Sequence, residues 1–165
     1  LRESSNNTVT GNTCYNNNND GIRLESSSDN TVTGNTCNNN NVGIRLYSSS
    51  DNTVTGNTCN NNNYNGIHLR ESSNNTVTGN TCYNNNDGIR LESSNDNNTI
   101  TGNTCIRGIG TPEDYRSDQY TIILVGGDND YNLISSNNCM GKAVVISGRH
   151  NSAWGNKFDN TDDLP

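Results

Sequence analysis

The chain has 165 residues, of which 27% are hydrophobic, with a net charge of -7, a pI near 4.6 and a mean hydropathy of -0.92. The acidic balance argues against a general nucleic-acid binder, which needs a basic face, and no apolar run reaches the length of a membrane span. Bulk composition alone would suit a disordered or prion-like asparagine-rich tract, but the strict order in which the few apolar residues recur excludes both.

The segment NTVTGNTC occupies 7–14, 30–37, 52–59 and 75–82, and NTITGNTC occupies 98–105. Weaker copies follow as NLISSNNC at 132–139 and NSAWGNKF at 151–158. The starts at 7, 30, 52, 75 and 98 are 23, 22, 23 and 23 residues apart. Between them stand GIRL at 21–24, GIRL at 43–46, GIHL at 66–69 and GIRL at 88–91. A fixed period in this range signals a solenoid. Helical and leucine-rich repeats need a 3.6-residue apolar pattern or several leucines per unit, and neither is present. Each unit instead holds short alternating pieces separated by Gly and Asn. The fold class predicted is all-β: a single-stranded, parallel β-helix of about seven coils. Right-handed winding is the default for parallel crossovers.

Alternation assigns the inward columns. Val9, Val32, Val54, Val77, Ile100 and Ile134 form one. Ile22, Ile44, Ile67 and Ile89 form another, and Leu24, Leu46, Leu69 and Leu91 a third. Asn12, Asn35, Asn57, Asn80, Asn103, Asn137 and Asn156 fall at a sharp corner. Asn tolerates a left-handed backbone, and its amide can bond the same residue one coil away, so these are expected to form a structural ladder.

At this point the pattern resembles a known family. NTVTGNTC followed by NNNDGIRLESSSDN is similar to the β-helix repeats of the NosD-like and carbohydrate-binding and sugar-hydrolase domain families, common in methanogen surface proteins and bacterial periplasmic proteins. The resemblance implies a pectin-lyase-like fold, an extracellular or cell-surface location and a relation to carbohydrate. It leaves function open, because that superfamily includes lyases, hydrolases, epimerases, adhesins and spacers.

Cys14, Cys37, Cys59, Cys82, Cys105 and Cys139 share one column, with Phe158 in the seventh place. They read as a buried thiol stack. Inter-coil disulfides would need a poor dihedral angle, and metal binding lacks a CxxC or paired His beside the thiols. A reduced column would suit an anaerobic source. Two His and one Met are too few for a NosD-type copper site.

The third position of GIxL is expected to face solvent, giving Arg23, Arg45, His68 and Arg90, with Tyr47 in the adjoining column. Arg suits carboxylate or sulfate groups, and coils about 4.8 Å apart approach the spacing of sugar residues. The interval from 98 to 132 is 34 residues, so the period breaks once, at an insertion over 106–119. Long loops on regular scaffolds carry function. Glu113, Asp114 and Asp118 are its catalytic candidates, and Arg107, Arg116 and Tyr115 could orient an anionic sugar. No Asp cluster recurs on adjacent coils, since Asp20 and Asp87 stand three coils apart. Asp128 and Asp130, in a Gly-rich turn, are weak Ca²⁺ candidates, and no other cofactor is expected. Asn6, Asn74 and Asn97 begin N-x-T sequons.

One domain is predicted over 1–165: regular coils at 1–105, the insertion, degenerate coils at 120–150 and a cap at 151–165. The chain begins in mid-coil without a Met, which suggests a piece of a longer chain and end-to-end association through the open first coil. The functional expectation is a non-catalytic surface stalk that binds anionic polysaccharide along the arginine-lined sheet. The alternative is a polysaccharide lyase, hydrolase or epimerase with its site at 106–119.

Overall fold

The structure is a computed structural model, and residues 1–106, 120–140 and 146–158 are described. The first coil contains β1 (Thr8–Thr10), β2 (Thr13–Tyr15) and β3 (Asp20–Glu25). The second contains β4 (Thr31–Thr33), β5 (Thr36–Asn38) and β6 (Val42–Tyr47). The third contains β7 (Thr53–Thr55) and β8 (Asn65–Arg70), with Thr58 bridging Thr36 and Thr81 in place of a middle strand. β9 (Thr76–Thr78), β10 (Thr81–Tyr83) and β11 (Asp87–Glu92) follow, then β12 (Thr99–Thr101), β13 (Thr104–Ile106) and β14 (Tyr120–Val125). The last strands are β15 (Leu133–Ser135), β16 (Asn138–Met140), β17 (Ser152–Trp154) and β18 (Lys157–Phe158).

Every pairing among these strands is parallel and joins equivalent positions of successive coils. One wall is the seven-stranded sheet β1-β4-β7-β9-β12-β15-β17. A second is the five-stranded sheet β14-β11-β8-β6-β3. The third holds the pair β2-β5 and the four-stranded β10-β13-β16-β18. Seven strands on the longest wall make about six full turns, slightly fewer than the seven coils expected.

The β-branched residues explain why three-residue strands suffice. Val32, Val54, Val77, Ile100 and Ile134 are wholly enclosed, stacked against the Ile44, Ile67, Ile89 and Ile122 column and the Leu24, Leu46, Leu69, Leu91 and Leu124 column. Fully burying one such side chain stabilises by about 1.5–3 kcal/mol. The thin core is therefore large when summed along the axis. Cys37, Cys59, Cys82, Cys105 and Cys139 are buried within it and Cys14 is half-buried, none of them in a disulfide. Hydrogen bonds to neighbouring sulfurs, with burial, hold the Cys59 and Cys105 protons well above the ordinary thiol range.

Asparagine closes the corners. Asn35 Nδ2 donates to the Val9 and Thr33 carbonyls and to Asn57 Oδ1, while Asn35 Oδ1 accepts from the N–H and Nδ2 of Asn12. The pattern repeats through Asn80, Asn103, Asn137 and Asn156. A second ladder runs through Asn7, Asn30, Asn52, Asn75, Asn98, Asn132 and Asn151. A third joins Asn17, Asn40, Asn62 and Asn85. One expectation needs correction: the ladder asparagines do not take the left-handed backbone. At the first corner that conformation belongs to the residue before the ladder, as in Gly56 (φ 62) before Asn57. The turn thus leaves Asn57 free to point its amide along the axis.

Candidate functional site

The five-stranded wall carries the outward columns. Register aligns Arg23, Arg45, His68, Arg90 and Ile123 in one, and Glu25, Tyr47, Arg70, Glu92 and Val125 in the next. The first column was expected to be uniformly solvated. Arg23 is exposed and Arg45 and Arg90 are half-buried, but His68 is 5% exposed. His68 has the shortest side chain of the four, so its ring stays near the sheet, flanked by the longer Arg45 and Arg90, while they extend outward.

A concavity of ≈ 330 Å³ opens over β6, β8 and β11. Arg45, His68, Arg90 and Glu92 line it, together with Val42, Asn65 and Asp87. Tyr64, 59% exposed, stands on the rim beside Asn86. Asp87 is tied in place by Arg90 Nη1 at 3.0 Å, Asn65 Nδ2 at 3.2 Å and the Tyr120 backbone N–H at 3.2 Å. Burial pushes its carboxyl up, against the pull of these donors. Glu92 sits 3.3 Å from Arg90 Nε and 3.2 Å from His68 Nε2. Partial burial opposes its charge, but Arg90, His68 and Arg70 outweigh that and hold it below the ordinary carboxylate value.

His68 is the anomaly. Glu92 is near its Nε2, yet neither ring nitrogen has a correctly directed hydrogen-bond partner. Burial, reinforced by Arg45 and Arg90 and opposed by Glu92, lowers its pKa to about 4. The ring is neutral at pH 7, and neither nitrogen makes a well-directed hydrogen bond. A buried polar group left unpaired costs about 1–3 kcal/mol, so such a group turned toward a concavity points to a ligand.

The arginines are already occupied. Arg45 Nε lies 3.0 Å from Asp20, and Arg23 lies 3.6 Å from Asp20 and 3.3 Å from Glu25. Arg23 and Arg70 also flank the Tyr47 ring, at 5.9 and 5.7 Å. Asp20 and Asp87 therefore matter without adjoining each other: each pairs with the Arg three residues on, across the Gly of D-G-I-R. That spacing was visible in the sequence; the enclosure of His68 was not.

The other candidates are dispersed. Glu113, Asp114, Asp118, Arg107, Tyr115 and Arg116 lie outside the described residues, as does the rest of the predicted insertion over 106–119 except Ile106, which ends β13. Tyr120, the first described residue after it, lies beside Asp87. Asp128 is exposed, while Asp130 accepts from the Arg149 N–H and donates its own N–H to Asp96, a turn role. His150 stacks on Tyr131 at 4.8 Å. Among the described residues no group of three His, Cys, Asp or Glu side chains could hold a metal ion, and no helix is long and apolar enough to cross a membrane.

Similar architectures occur in solved structures. DFA-IIIase from Arthrobacter chlorophenolicus A6, in complex with DFA-III, matches with a TM-score of 0.77 at 15% identity, covering 93% of this chain and 38% of that one. The periplasmic alginate epimerase AlgG matches with a TM-score of 0.68 at 22% identity, covering 93% and 39%. An alginate lyase from Paenibacillus sp. str. FPU-7 matches at 0.51 and 12% identity, covering 88% and 75%. At these identities the likeness is one of fold, and the chain spans about two fifths of the first two proteins. No curated protein sequence matches. A family model described as periplasmic copper-binding protein (NosD) matches residues 1–113, more than half of the sequence, and the chain belongs to that family.

Proposed function

We propose that this β-helix binds a polysaccharide along its five-stranded wall and grips one sugar unit in the concavity around His68. The observation that carries the reading is His68 itself, enclosed, with Glu92 3.2 Å from Nε2 but neither ring nitrogen in a well-directed hydrogen bond. A sugar hydroxyl both donates and accepts, so one or two hydroxyls would satisfy the ring. Tyr64 on the rim offers an aromatic face, which suits the apolar face of a sugar. The structural neighbours include proteins named for DFA-III and alginate, which supports a carbohydrate ligand. The regular coils outside the concavity serve as scaffold, and the family description points to a periplasmic setting.

The charge of the ligand follows from the ion pairs. A strongly anionic polysaccharide, which the arginine column alone suggests, would have to displace Asp20, Asp87 and Glu92 from the same guanidinium groups. A chain recognised through hydroxyls, with little charge, meets the wall as it stands. Copper, the ligand in the family description, does not fit the donors among the described residues. His68 lies between two cations, His150 is stacked on Tyr131, and the thiols sit one per coil in an apolar interior.

Titration calorimetry with soluble fructan, glucan, mannan and polyuronate tests the reading. Binding to a low-charge polysaccharide is expected, weakened about tenfold by Tyr64→Ala, the loss of about 1.4 kcal/mol of contact. Unaltered affinity in Tyr64→Ala, or no binding to any of the four, defeats it.

A further inference from the structure

We propose that the seven-stranded wall binds ice, through a two-column array of threonines on its outer face. The array lies on a different wall from the concavity and does not depend on what the concavity holds.

Alternation in Thr-Val-Thr sends the valine inward and both threonines outward. Register then stacks them, with Thr8, Thr31, Thr53, Thr76 and Thr99 in one column and Thr10, Thr33, Thr55, Thr78 and Thr101 in the other. Leu133 and Ser135 end the columns on the next coil, with Trp154, 58% exposed, beyond them. No charged side chain stands in either column. The glycine after each second threonine adds no bulk beside the array; even a Cβ at Gly56 would meet nothing within 4 Å.

The fold does not call for this uniformity. On the same scaffold, the outward columns of the five-stranded wall hold Arg, His, Glu, Tyr, Ile and Val. Threonine favours strands, and facing threonines stabilise a sheet when their hydroxyls bond one another. None does so here. Among the described residues no protein group hydrogen-bonds any of the threonine hydroxyls in the two columns, so they are left to water.

The spacing decides which form of water they suit. Liquid water adapts to any arrangement of hydroxyls, whereas a water lattice rewards only a matching grid. Equivalent residues stand about 4.8 Å apart along the axis, and the two threonines of one strand about 6.6 Å apart across it. A tetrahedral network with O···O of about 2.75 Å places second neighbours about 4.5 Å apart and repeats after two layers, at about 7.3 Å. The two grids agree to about a tenth in both directions. Over the five levels the misfit along the axis accumulates to about 1.2 Å, less than half the separation of two bonded waters. Each threonine contributes a hydroxyl that donates and accepts, beside a methyl group that already restricts its first-shell water. The branched Cβ limits χ1, so the array is set in advance and little freedom is lost on contact.

The full chain should be frozen slowly from solution beside serum albumin, and single ice crystals should be watched in its presence during cooling. The expected results are enrichment of the chain in the growing ice, where albumin is excluded, and a temperature gap below melting in which crystals do not grow. Thr55→Tyr and Thr78→Tyr, each setting a ring in the middle of the array, are expected to abolish both. Tyr15→Ala, on the wall that carries β2, is expected to change neither. Should a tyrosine variant fail to fold by circular dichroism, Thr55→Ser with Thr78→Ser takes its place and is expected to narrow the gap. Exclusion of the wild-type chain from ice overturns the proposal, as does a gap unchanged in the folded Thr55 and Thr78 variants. Retention on microcrystalline cellulose that Thr55→Tyr abolishes, without enrichment in ice, would assign the array to a crystalline polysaccharide and overturn it too.

Discussion

His68 occupies the position that holds arginine in three other coils, and its enclosure couples its protonation to folding. In the folded chain its pKa is about 4, with burial the largest cause. In the unfolded chain the ordinary value near 6.5 applies. Between these values the unfolded chain binds a proton that the folded chain does not, so stability rises with pH across the window. Above about pH 6.5 the neutral ring makes no further demand. As the pH falls from there toward 4, about 3 kcal/mol is lost at this one residue, undiminished by solvent because the side chain is only 7% exposed. Urea unfolding at pH 7 and pH 4.5 should therefore show a larger loss of stability in wild type than in His68→Gln. Equal losses in the two proteins would mean that the ring titrates near its ordinary value. Nothing in the letters G-I-H-L distinguishes this histidine from a solvated one. Its burial arises from side chains on the two adjoining strands, more than twenty residues away in sequence.

At the scale of the strand and its corner, the same residue type serves two different needs. Gly66 in β8 lies where a third wall presses against the second. A Cβ there would stand 2.7 Å from the Gly88 carbonyl oxygen, 2.9 Å from Cys82 Sγ and 3.0 Å from Asn85 Nδ2. Gly56 has open space around it but a φ of +62. Gly66→Ala forces backbone apart and is expected to destabilise by about 3 kcal/mol. Gly56→Ala incurs only the left-handed strain of about 1 kcal/mol. Denaturant midpoints for the two variants check this, with faster amide exchange in β8 and β11 expected for Gly66→Ala alone. A comparable loss in both would show that the two walls are looser than the contacts indicate. The strands themselves were legible because Thr-Val-Thr and Ile-x-Leu alternate at a fixed period. The corners were less so. Asn57 and Gly56 are adjacent, and only the backbone decides which of them turns left-handed and which sends its amide to the next coil. The ladder through Asn30, Asn52 and Asn75 follows the same logic at the first residue of each NTVTGNTC motif.

At the scale of the whole molecule, each coil touches only the coils above and below, so stability is close to a sum over coils and their interfaces. This separates the scaffold from the site in a way that a globular fold does not allow. Removing residues 53–75, one full period, joins Asn52 to Thr76 and restores the sequence NTVTGNTC. Val32 then faces Val77, Ile44 faces Ile89 and Cys37 faces Cys82, the same pairings as between adjacent coils now. Arg45 and Arg90 become neighbours, each still compensated by the aspartate it holds, Asp20 and Asp87. The shortened chain is expected to fold with its β-sheet circular dichroism intact and a thermal midpoint lower by roughly 2–8 °C, the effect of about 1 kcal/mol. Tyr64, Asn65 and His68 leave with the deleted coil, so polysaccharide affinity should vanish although the arginine column persists. Removing residues 53–64 instead, about half a period, shifts the strands out of register and turns apolar side chains away from the core, and that chain should not fold. If the full-period deletion binds polysaccharide as well as wild type does, the arginine column alone is the binding surface and the concavity around His68 is incidental to it.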